Sequence, residues 1–90
     1  MKTRHQTSLE ASCGPVKLIP IKSLDRWQLT IISREPPPQP LTDDIRCNGV
    51  QHPIIVTDGN IILDGTKRVS AAISLGHTSI PARHYIRDRR

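Results

Sequence analysis

Short β-branched runs and one amphipathic helical pattern divide the chain into elements. Val16 to Ile21 (Val-Lys-Leu-Ile-Pro-Ile) predicts a first strand, and Pro20 confines it to a sheet edge or to the strand's end. Ser23 to Ser33 satisfies two patterns. Leu24, Trp27 and Ile31 fall at helical spacing, whereas Leu29 to Ile32 is a β-favouring run. Both readings stand. Arg34 to Pro40 is a proline-rich connector, expected as a polyproline surface stretch. Leu41 to Asn48 predicts a short helix with Thr42 as N-cap, Asp43 and Asp44 in the first turn, and a stop at Asn48-Gly49. Leu41 and Ile45 share a face.

Pro53 to Thr57 and Asn60 to Leu63 predict two strands joined by a tight Asp58-Gly59 turn. The second strand runs directly into Asp64-Gly65. A helix is predicted over Thr66 to Leu75, with Val69, Ala72, Ile73 and Gly76 on its packing face and Ala71 and Leu75 flanking it. Ser79 to Ile86 predicts the last strand. The order is strand, ambiguous segment, helix, hairpin, helix, strand, which predicts an α/β domain with a mixed sheet and no internal repeat. The expected organisation is an N-terminal arm over residues 1–15, one domain over residues 16–86 and a basic tail over residues 87–90.

Composition narrows the chemistry. The chain has 90 residues, enough for one domain with a modest core. Phe is absent, so Ile, Leu, Val and Ala must supply that core. A formal charge of +5 suits a polyanionic partner such as nucleic acid or a nucleotide. Much of the excess lies at the ends, where Arg83, Arg87, Arg89 and Arg90 are secondary candidates for nucleic-acid contact. Cys13 and Cys47 have no metal-binding spacing and read as free thiols of a reducing cytoplasm. No apolar run is long enough to span a membrane, and Met1 to Glu10 has no signal-peptide core. A cytoplasmic protein without membrane partners is expected. The histidines, His5, His52, His77 and His84, are scattered.

The densest chemistry is Asp64-Gly65-Thr66-Lys67-Arg68, at the passage from strand to helix. A helix start exposes unpaired amides at the positive end of the helix dipole and attracts anions. Gly65 permits a sharp turn, Thr66 adds a hydroxyl, and Lys67 and Arg68 add charge-assisted donors. The spacing is not that of a Walker A loop. A capped helix start with two solvated cations accounts for the same residues. Asp64 is placed to hold a magnesium ion, and capping or turn formation explains it equally well.

Three longer phrases carry a resemblance. They are Asp44-Ile45-Arg46-Cys47-Asn48-Gly49-Val50-Gln51-His52-Pro53-Ile54-Ile55-Val56, then Ile61-Ile62-Leu63-Asp64-Gly65-Thr66-Lys67-Arg68-Val69-Ser70-Ala71-Ala72, then Leu75-Gly76 with Ser79-Ile80-Pro81-Ala82. In this order they resemble the N-terminal domain of the partition protein ParB, which shares its fold with sulfiredoxin. The resemblance implies a nucleotide triphosphate (CTP or ATP, with magnesium) or DNA as ligand, held at Gly65 to Arg68. It also implies a role in plasmid, phage or chromosome maintenance or regulation, on a mobile element or otherwise. The ParB segment matching Gly65 to Arg68 is Gly-Glu-Arg-Arg, and that of sulfiredoxin is Gly-Cys-His-Arg with a catalytic Cys. Thr66 occupies the Cys position, and its hydroxyl cannot supply a thiolate, so sulfiredoxin activity is not expected. The later ParB nucleotide segment, Glu-Asn-x-x-Arg, and the DNA-reading and dimerisation domains have no match here. A stand-alone binding module is therefore the leading expectation. Two alternatives are an enzyme on the same scaffold (nucleotide hydrolase, kinase or nuclease, with Asp25, Asp58 and Asp64 as carboxylates) and a protein-interaction domain with the turn unused.

Overall fold

A computed structural model of the chain describes residues 13–86. Its strands form one mixed sheet in the order β1-β4-β2-β3. β1 (Cys13–Pro20) runs antiparallel to β4 (Ser79–Tyr85), β4 runs parallel to β2 (Ile54–Val56), and β2 runs antiparallel to β3 (Ile62–Asp64). Three helices accompany the sheet: α1 (Arg26–Ile32), α2 (Gln39–Asn48) and α3 (Thr66–Ser74). This is the predicted mixed α/β class. A parallel pair needs a crossover, and β3 with α3 supplies it between β2 and β4.

One core fills the space between the sheet and the helices. Ile19, Ile54, Val56, Ile62, Ile80 and Ala82 come from the strands. Val69 and Ala72 of α3, Ile32 of α1, and Ile21 and Leu24 complete it. All of β2 is buried, which accounts for its unbroken Ile-Ile-Val run. Aliphatic residues alone make the core; Trp27 is 76% exposed.

Several boundaries differ from the sequence expectation. β1 starts at Cys13, inside the segment expected as an arm. The Arg83 guanidinium holds that extension: its Nε donates to the Gly14 carbonyl at 2.7 Å and its Nη2 to the Cys13 carbonyl at 3.3 Å. The rest of the expected arm, residues 1–12, and the tail, residues 87–90, lie outside the described residues. The ambiguous segment is helical from Arg26. Asp25 caps α1 by accepting from the Gln28 amide at 3.0 Å, and this cap overrides the β-favouring run. Leu24 and Ile32 face inward, while Trp27 and Ile31 of the expected helical stripe face out.

α2 starts earlier than predicted. Pro38 is its N-cap and Pro40 sits in its first turn, where a missing N–H breaks no helical bond. Thr42 is therefore inside the helix rather than at its cap. It is buried, and its Oγ1 donates to the Pro38 carbonyl at 2.9 Å. Asp43 and Asp44 fall beyond the first turn; Asp43 pairs with Arg46 and Asp44 accepts from Asn48. In the hairpin, Thr57 N–H donates to Ile61 and Asn60 N–H to Thr57, both at 2.9 Å, closing a loop over Asp58 to Asn60. Its left-handed residue is Asn60 (φ 62°), not Gly59. On α3 the buried residues are Val69, Ala71 and Ala72, and Ile73 is exposed instead. α3 packs against α1, α2 and β2, so its buried face is turned from the predicted one.

Candidate functional site

β3 delivers the chain to Gly65, and the turn there has little freedom. Gly65 adopts φ 107°, ψ 20°, a left-handed conformation that side-chain-bearing residues rarely take. A Cβ at this position would lie 2.6 Å from Cγ2 of the fully buried Ile54 and 3.2 Å from Nη1 of Arg68. The turn is thus pressed against β2, and its glycine is required both for conformation and for space.

α3 starts directly after Gly65. Its first intrahelical acceptor is the Gly65 carbonyl, which accepts from Val69 N–H at 3.0 Å. The amides of Thr66, Lys67 and Arg68 precede that bond, and no side chain caps the helix. Thr66 and Lys67 are exposed. An open cleft of about 400 Å3 lies at this start, lined by Leu41 and by Asp64 to Arg68. A second depression of about 320 Å3 meets Thr66 and Lys67 from the proline connector, with Pro36 to Pro38 and Ser70 in its walls.

The predicted site residues divide into two groups. Gly65, Thr66 and Lys67 present amides, a hydroxyl and an ammonium to the cleft. Arg68 also lines the cleft, but its guanidinium is committed to groups of the protein. Its Nη1 donates to the Pro53 carbonyl at 3.3 Å and reaches the His52 carbonyl at 3.5 Å. Its Nη2 lies 3.7 Å from Oδ2 of Asp64. Arg68 therefore ties the entry to β2 to the site turn, and Asp64 partly offsets its charge. Asp64 does not cap α3.

The carboxylates considered for catalysis do not converge. Asp25 caps α1, Asp58 lies in the hairpin loop, and Asp64 faces Arg68. Among the described residues, no group of three His, Cys, Asp or Glu side chains is gathered as a metal site. Arg83 is spent on backbone carbonyls of β1, and Arg87, Arg89 and Arg90 lie outside the described residues. Cys47 is exposed on α2 and is not among the residues lining the cleft.

Two long-range side-chain contacts have no sequence signal. Gln28 of α1 bonds both backbone groups of Ile62 in β3. Asn60 in the hairpin meets Ser23 through its Nδ2 and His84 Nε2 through its Oδ1, joining the hairpin to the turn after β1 and to β4. Polar residues at these positions read from sequence as surface residues, because their partners are distant along the chain.

No protein-family model matches the sequence, and no curated protein matches it. Solved structures do. The C-terminally truncated chromosome-partitioning protein ParB from Caulobacter crescentus, complexed with CTP-γ-S, superposes with a TM-score of 0.61 at 28% identity. That match covers 83% of this chain and 46% of the ParB chain. Sulfiredoxin from Arabidopsis thaliana gives a TM-score of 0.63 at 23% identity, covering 82% of this chain and 88% of sulfiredoxin. A Pnob8-like ParB-N domain gives 0.63 at 20% identity, covering 82% of this chain and 30% of that one. The chain thus spans less than half the length of these ParB chains but most of sulfiredoxin. Strand order, the helix following the Gly65 turn and these superpositions agree: the protein has the ParB/sulfiredoxin-like fold.

Proposed function

We propose that the chain is a ParB-like binding module that holds the phosphate of a nucleotide or nucleic acid at the Gly65 turn and serves a DNA-related process. The observation that carries this reading is the uncapped start of α3, open to a cleft and flanked by the exposed Thr66 and Lys67. Unpaired amides, a hydroxyl and an ammonium form a donor set suited to phosphate oxygens. The ParB structure with CTP-γ-S supports a nucleoside triphosphate as ligand class. In this reading Lys67, Thr66 and the turn amides contact the anion. Arg68 and Asp64 shape the turn rather than grip the ligand. Magnesium bound with the nucleotide would offset phosphate charge, with Asp64 the nearest carboxylate in the cleft wall. The scattered carboxylates give no support to a hydrolytic or kinase reading.

Titration calorimetry with CTP, ATP and a short DNA duplex, each with and without magnesium, tests the proposal. At least one ligand should bind, and Lys67→Ala should weaken it about tenfold, the loss of one charge-assisted contact. Lys22→Ala, which follows the opposite edge strand β1, should leave affinity unchanged. Equal losses in both variants, or no binding of any ligand, contradict the reading.

A further inference from the structure

The two edges of the sheet, β1 and β3, are finished differently. At β3, the Gln28 carboxamide takes the place of a further strand: Ile62 N–H donates to its Oε1 at 2.6 Å, and its Nε2 donates to the Ile62 carbonyl at 3.0 Å. At β1, no strand or side chain among the described residues does this for Val16 or Leu18.

The register identifies which β1 groups face outward. Leu18 stands opposite Pro81, which has no N–H, so theirs is a non-hydrogen-bonded pair. The bond from Ile21 N–H to the Thr78 carbonyl, at 2.9 Å, gives the same parity. Val16, Leu18 and Pro20 therefore turn their backbone groups away from β4. Pro20 has no N–H, and its carbonyl already accepts from Ser23 Oγ at 2.7 Å. Val16 and Leu18 each keep one N–H and one C=O on the open edge. Their side chains are 56% and 69% exposed. Leu18 also continues into an open apolar groove of about 750 Å3, which Pro20, Ile21, Leu29 and Ile73 help to line.

Charge decides what can occupy this edge. A second copy pairing antiparallel through all of these groups would set Val16 against its Leu18 and Lys17 against its Lys17. Like charges directly opposite in a sheet are destabilising, and an edge lysine is a common guard against self-pairing. Lys17 is exposed, Lys22 lines the groove, and the whole chain carries +5. We infer that β1 accepts, by strand addition, an extended segment of a partner protein in which apolar and acidic residues alternate. A carboxylate of that segment faces Lys17, apolar side chains lie beside Val16 and Leu18, and the strand leads on into the groove. This surface is separate from the Gly65 turn.

The test uses the isotope-labelled full chain and two synthetic peptides, one alternating leucine with aspartate and one alternating leucine with lysine. The aspartate peptide should bind about tenfold more tightly, and it should slow hydrogen exchange at the Val16 and Leu18 amides about tenfold. Lys17→Glu should reverse the preference, and Lys17→Gln should abolish it. Equal affinity for both peptides, protection confined to other amides, or no binding at millimolar peptide overturns the proposal. Protection of Val16 and Leu18 without peptide also overturns it. If that protection rises with protein concentration, a second copy is the occupant. If it does not, a segment of the chain itself is.

Discussion

Gly65 answers to two constraints, a left-handed backbone and a Cβ position 2.6 Å from Ile54 Cγ2. Gly49 answers to the first alone, because nothing lies within 4 Å of its Cβ position at φ 77°. Alanine at Gly49 should cost about 1 kcal/mol, and alanine at Gly65 about 2–4 kcal/mol, because the clash adds to the strain. Urea unfolding of the two variants separates the terms; equal costs would mean that the turn is not pressed on β2. Arg68→Ala should lose about 1–3 kcal/mol of stability, since it frees the carbonyls of Pro53 and His52. Its unfolding midpoint should fall, whereas that of Lys67→Ala should not. Much of the candidate site's geometry was legible in the sequence: Asp64-Gly65-Thr66-Lys67-Arg68 predicted a glycine turn at a helix start, and the helix begins at Thr66 directly after Gly65. The commitment of the Arg68 guanidinium was not legible, because its acceptors belong to a loop that only the folded sheet brings near.

Element boundaries were legible where a local signal dominates. Gly49 ends α2 as expected, with its N–H bonded to the Ile45 carbonyl at 2.8 Å. The start of α2 was misplaced because Thr42 looks like a cap, while Pro40 tolerates a first-turn position that its reputation as a breaker hides. The segment around Trp27 was undecidable from periodicity, and a single Asp25 cap decided it. The Gln28 bridge to β3 had no local signal at all. Its removal in Gln28→Ala leaves the part-buried Ile62 N–H and C=O unpaired at a cost of about 1–3 kcal/mol. Native-state hydrogen exchange should show the Ile62 amide opening faster than those of β4. Unchanged Ile62 exchange would mean that the carboxamide does not protect this edge.

At the scale of the whole molecule, the α/β class followed from the order of elements, and the resemblance to ParB and sulfiredoxin from the three phrases between Asp44 and Ala82. The sheet order β1-β4-β2-β3 did not, because strand adjacency is set by long-range packing rather than by local pattern. A chain of +5 that binds DNA through phosphates should lose affinity linearly in log–log plots against salt, and Lys67→Ala should lower that slope by about one. An unchanged slope would place the DNA contacts elsewhere on the surface. The most direct measurement of the central claim is amide chemical-shift mapping of the full chain during titration with CTP and ATP. The largest shifts should fall at Gly65, Thr66 and Lys67, and should need about tenfold more nucleotide in a folded Lys67→Ala variant. Largest shifts at another surface, or none with either nucleotide, would contradict it.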